Sequence, residues 1–159
     1  MRKQPTIERT PTTTAVTSPT GLLTVLSVSP IEEDHLSLQA IIGHSPSVMF
    51  SACDLVSAAH LLQHQEIAVL LCERELLSGT WIDVLEHIKA LPDAPSLIVA
   101  SRLADERLWA EALNLGAWDV LAKPFDRTEV IRSVNSAWQH WNDQAHKRAT
   151  SVKVMTAAS

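Results

Sequence analysis

The 159-residue chain has no tyrosine, two phenylalanines, four glycines and two cysteines. Each shortage excludes something. Two cysteines, Cys53 and Cys72, cannot build a disulfide scaffold and fit a reducing cytoplasm. Four glycines leave little material for a glycine-rich phosphate loop, and no Ser/His/Asp order or HExxH motif stands in for one. No apolar run approaches the roughly 18 residues that cross a bilayer, and the start Met1-Arg2-Lys3-Gln4-Pro5 leads into no apolar signal segment. A transmembrane or secreted protein is therefore not expected.

What is present is enough for a core: 46% of the residues are hydrophobic and 19% charged. The net charge of −5 is unevenly spread. Residues 1–20 and 142–159 each sum to +2, which leaves −9 on residues 21–141. A body that acidic repels phosphate backbones, so nucleic acid is not an expected partner. Residues 1–20 are Thr-, Pro- and Ser-rich without apolar periodicity and read as a disordered arm. Residues 142–159 read as a flexible polar tail.

Between these ends, apolar β-type runs alternate with helical patterns. Leu22–Val28 reads as a strand, followed by a helix over Glu32–Ile42 with Ile31, Leu36, Ala40 and Ile41 on its inner face. Val48–Ser51 is a short strand, and Asp54–His64 a helix with Leu55, Ala58, Ala59 and Leu62 on one side. Ile67–Cys72 is continuously apolar, as a central parallel strand covered on both faces must be. Helices over Trp81–Ala90 and Asp105–Leu115 flank a strand at Leu97–Ala100. Val120–Ala122 is the last strand, and Asp126 with Glu129 opens the last helix, whose stripe is Ile131, Val134, Trp138 and Trp141. Five strands, each followed by a helix, predict an α/β domain over residues 21–141: a doubly wound, five-stranded parallel sheet. Function in such sheets gathers at the carboxyl ends of the strands.

The stretch Gly116-Ala117-Trp118-Asp119-Val120-Leu121-Ala122-Lys123-Pro124-Phe125 resembles the GA-x-D-x-L-x-KPF segment of receiver domains of bacterial two-component response regulators. Val69-Leu70-Leu71-Cys72-Glu73 resembles their third strand, with Ser101 lying 28 residues after Glu73 and 22 before Lys123. The resemblance implies a flavodoxin- or CheY-like (βα)5 fold of strand order 2-1-3-4-5, and a place in a phosphorelay. It implies Glu73 at the phosphoacceptor position, Ser101 and Lys123 as the phosphoryl-binding pair, and a cis bond before Pro124.

The departures are as informative. Glu73 replaces the acceptor Asp and carries its carboxylate about 1.5 Å further out, a displacement that can cost an in-line transfer about a hundredfold. At the end of the first strand, where the family has the acidic pair that holds Mg²⁺, the sequence reads Ser27-Val28-Ser29-Pro30, and Val120 replaces the switch aromatic. Glu32 and Glu33 are the candidate acidic lining, alongside Asp34; their other reading is an acidic first turn favoured by the helix dipole. The expected function is thus a stand-alone, non-enzymatic receiver-like module that works by contact with a sensor kinase or downstream target, Glu73 serving as a fixed anion against Lys123. The alternative is a working phosphoacceptor in which Glu32, Glu33 and Glu73 hold Mg²⁺; a small enzyme on the same fold is the least favoured. For the tryptophans core packing is the leading account, and the rival is a partner or homodimer surface formed by Trp109, Trp118 and the end of the last helix beside the fifth strand.

Overall fold

A computed structural model describes residues 21–158, with side chains through Ser151. The expected arm over residues 1–20 lies outside the described residues. The elements run β1 (Leu23–Val28), α1 (Glu32–Ile42), β2 (Ser47–Ala52), α2 (Leu55–His64), β3 (Val69–Glu73), β4 (Glu75–Leu76), β5 (Gly79–Thr80), α3 (Trp81–Lys89), β6 (Ser96–Ser101), α4 (Glu106–Leu115), β7 (Asp119–Ala122) and α5 (Arg127–Ala158). The main sheet is five-stranded and parallel in the order β2-β1-β3-β6-β7, which is the expected 2-1-3-4-5 once the small β4–β5 hairpin is set aside.

Side chains alternate across this sheet and build two cores. Leu26, Val28, Leu70, Cys72, Leu97 and Val99 face α2, α3 and α4, meeting Leu62, Trp81, Leu85 and Leu108. Val25, Val69, Leu71, Ile98 and Leu121 face the other way, meeting Leu38 and Ile42 of α1 and Val130, Val134 and Ala137 of α5. β3 is buried along its apolar length because it is covered on both sides. Local chemistry sets the helix starts: Asp54 accepts from Ser57 N at 2.9 Å and Asp105 from Leu108 N at 2.9 Å. Thr80 and Asp83 form a capping box on α3. Gly116 ends α4 at φ 111°, a left-handed conformation that glycine adopts without Cβ crowding.

The structure departs from the sequence reading in three places. The inner face of α1 is Asp34, His35, Leu38 and Ile42, whereas Leu36 and Ala40 face solvent. Two polar residues are buried there because both are hydrogen-bonded, which removes the penalty that usually keeps them outside. The β4–β5 pairing has strands of two residues, too short for a periodic signal. The last helix does not end near Trp141 but continues to Ala158, in place of the expected tail. No proline or glycine interrupts residues 127–158. The helix is also fastened beyond the sheet, Trp141 Nε1 donating to Asp93 O at 3.3 Å and Arg148 pairing with the Asp93 carboxylate at 3.2 Å.

Candidate functional site

The carboxyl ends of β1, β3, β6 and β7 form one rim, and the buried polar residues Ser27, Ser29, Asp34, His35, Ser101 and Lys123 gather there. Lys123 follows β7 and turns inward; its side chain is 3% exposed, so its charge must be met inside the protein. Asp34 and Glu73 meet it. Lys123 Nζ donates to Asp34 Oδ2 at 2.7 Å and is in direct contact with Glu73 Oε1. Glu73 Oε1 is closed off from solvent and faces the ammonium as an ion contact, without the angular geometry of a hydrogen bond. The other oxygen, Glu73 Oε2, accepts from Glu75 N at 3.3 Å.

Asp34 is held from a second side. Ser29 Oγ donates to Asp34 Oδ2 at 2.7 Å and accepts from Ile31 N at 3.1 Å. His35 Nε2 lies 2.9 Å from the carbonyl of Ser29 and must be the donor, since a carbonyl only accepts. Its Nδ1 is 2.9 Å from Ser27 Oγ. Two successive residues of α1 are thereby pinned to the end of β1.

The other expected residues sit as follows. Ser101 is buried, with Oγ accepting from Leu103 N at 3.0 Å and its carbonyl from Lys123 N at 3.0 Å. The Lys123–Pro124 bond is cis, and Pro124 is exposed. Glu32 and Glu33 are exposed on the outer side of α1 and do not enter the pocket. Asp34 takes the place expected of them, because in a helix the residue that shares a face with Leu38 and Ile42 is four and eight positions before them. That spacing was the available signal for Asp34. Ser27, Ser29 and His35 have no comparable signature in the sequence. Val120 is buried in the core. Cys72, at the end of β3, has its thiol pushed well above the usual range by burial, with the Glu73 charge adding to it, and is a core residue rather than a nucleophile.

The resemblance implies Mg²⁺, and the donor set does not fit it. Mg²⁺ takes octahedral oxygen ligands at 2.0–2.1 Å. Here Ser29 Oγ, Asp34 Oδ2 and Glu73 Oε1 are already committed, and the ammonium lies against both carboxylates. Two unit charges 4 Å apart interact by about 4 kcal/mol at an effective dielectric of 20. The ammonium opposes a dication beside it by about twice that, and already offsets part of the carboxylate charge that would draw the dication in. Among the described residues no group of three or more His, Cys, Asp or Glu side chains is arranged for a metal.

Comparison with known proteins agrees with this architecture. Residues 32–135 match the response regulator receiver domain family, and the chain belongs to that family. A protein-glutamate methylesterase/protein-glutamine glutaminase of Desulfotalea psychrophila is 36% identical over 69 residues, which are 42% of this chain and only 18% of that protein. The signal receiver domain of an HD domain-containing protein from Pseudomonas fluorescens Pf-5 superposes with a TM-score of 0.70 at 24% identity, covering 77% of this chain and 99% of that one. That of a LuxO-type repressor from Vibrio parahaemolyticus gives 0.73 at 18% identity, covering 79% and 96%. No helix among the described residues is long and apolar enough to cross a membrane.

Proposed function

We propose that this chain is a receiver-type signalling module that acts by contact with protein partners, a sensor kinase or a downstream target, without passing through a phosphorylated state. The observation that carries the reading is the buried contact between Lys123 and Glu73, whose side chains are 3% and 12% exposed. In this reading Glu73 is a permanent anion where the family places a transient one. A single carboxylate supplies about half the charge of a phosphoryl group and fewer acceptor oxygens, so the mimicry is partial. The module transfers no group itself, and its place of action is the bacterial cytoplasm. A homodimer through α5 and the β7 side is the expected self-association, supported by the exposed Trp109 on α4 and by the half-buried Trp118 beside α5.

The test is labelling with radioactive acetyl phosphate in the presence of Mg²⁺. No stable label is expected. Label that disappears in Glu73→Ala establishes instead a working phosphoacceptor with an altered acidic site. Beryllofluoride provides a second arm: unchanged amide resonances at Ser101 and Lys123 support the module, and selective shifts there support a live acceptor.

A further inference from the structure

Asp34 is the member of the pocket that the Glu73–Lys123 pairing does not require, yet it is buried and doubly bonded. Its Oδ2 accepts from Lys123 Nζ and Ser29 Oγ, each at 2.7 Å. The Ser29 hydroxyl is itself oriented by Ile31 N, so the carboxylate meets a pre-set donor. The neighbouring His35 clamps the same turn to Ser29 O and Ser27 Oγ. Along the β1 end, Ser29 has spent its hydroxyl and Pro30 brings no side-chain oxygen. One oxygen of each carboxylate, Asp34 Oδ2 and Glu73 Oε1, is therefore already turned toward an ammonium.

We propose that the Lys123 ammonium is the resident cation of this pocket, which makes the site independent of divalent metal, and that Asp34 is the positioning residue that holds it there. The inference deepens the reading above and rests on it. Two carboxylates and one ammonium leave a single negative charge, which Ser29 Oγ and Glu75 N help to satisfy as donors. A divalent cation enters such a pocket only if the lysine leaves.

Manganese is the probe, because its paramagnetism broadens only nearby amides. In the ¹⁵N-labelled full chain, millimolar MnCl₂ is expected to leave Ser29, Asp34, Glu73 and Ser101 unbroadened beyond the general surface effect. Lys123→Met, or Lys123→Gln should that variant not fold, is expected to gain selective broadening at those residues. Selective broadening in the wild type overturns the inference, whatever the variants do. For Asp34 the readout is acetylation of Lys123 by an amine reagent, followed by peptide mass. Asp34→Asn is expected to speed it by about tenfold or more, the loss of one charged hydrogen bond, with the Cys72 thiol still protected as a control against global opening. Unchanged acetylation removes the positioning role. Manganese binding without label from acetyl phosphate sinks the metal-free pocket alone; binding with label sinks the phosphorylation-independent reading as well.

Discussion

Replacing Lys123 by Met removes the only ammonium that touches Asp34 and Glu73 among the described residues, and leaves two carboxylates facing each other in a pocket where their side chains are 9% and 12% exposed. Breaking a buried ion pair by deleting one partner costs about 3–5 kcal/mol, most of it from the charge left behind. Asp34→Ala is milder, because Lys123 keeps Glu73. It loses one charged hydrogen bond, about 1.5–3 kcal/mol, while the Ser29 hydroxyl, which still accepts from Ile31 N, loses its acceptor at a cost near the low end of about 1–3 kcal/mol. The two changes are strongly coupled. In the Lys123→Met background Asp34 is one of two repelling anions, so its removal should restore stability instead of costing it. The assay is urea unfolding followed by tryptophan fluorescence, with Trp81, 2% exposed in the core, as a reporter of global packing. The expected result is a change of sign for Asp34→Ala between the two backgrounds. A cost equal in both to within about 0.5 kcal/mol, the ordinary limit of additivity, refutes the shared-ammonium pocket.

Thiol reagents should modify the exposed Cys53 in the native protein and reach buried Cys72 only on unfolding; equal rates for both disprove the burial argument. The native state holds the Cys72 proton where the unfolded chain releases it, so its contribution to stability is present at neutral pH and lost as pH rises above about 8.5. The folding constant should fall by up to roughly tenfold per pH unit there, an effect absent from Cys72→Ala. Gly116→Ala meets no atom closer than Lys89 Cε at 4.0 Å, so its cost is backbone strain alone, about 1–2 kcal/mol by urea unfolding. Trp118→Ala should shift sedimentation toward monomer; a wild type that is monomeric at all concentrations discards that interface.

The fold was legible because its strongest signals are long-range facts expressed locally. Val69–Cys72 can be apolar on both faces only in a central strand, and Asp54, Asp105 and Asp126 mark helix starts that the structure keeps. Strand order followed from the resemblance and is borne out. The face of α1 was misread, because a stripe drawn through Ile31, Leu36, Ala40 and Ile41 assigns Asp34 and His35 to solvent, whereas one through Leu38 and Ile42 does not. Ser27, Ser29 and Lys123, the last 89 residues away, are the partners that offset the cost of their burial. Three acidic residues in succession, Glu32, Glu33 and Asp34, look alike to any rule about the helix dipole. Helical rotation chooses among them, and rotation is fixed by Leu38 and Ile42 against the sheet. The continuation of α5 was hidden for the opposite reason: a polar segment carries no stripe, and its anchor, Asp93, lies in a distant loop.

The family-like residues of the rim each have structural employment that explains their presence without phosphoryl chemistry. Ser101 Oγ accepts from Leu103 N and so fixes the loop leading to α4, and Lys123 balances two buried carboxylates. This pocket has its cation and its anions in contact already, and they tie α1, the end of β3 and the β7–α5 turn together. Any input that shifts one of those elements must first separate buried opposite charges, which costs several kcal/mol. Binding of a protein partner can supply that much through the contact surface it buries. On the proposed reading, information therefore enters this domain through its surface and meets the ionic rim from outside.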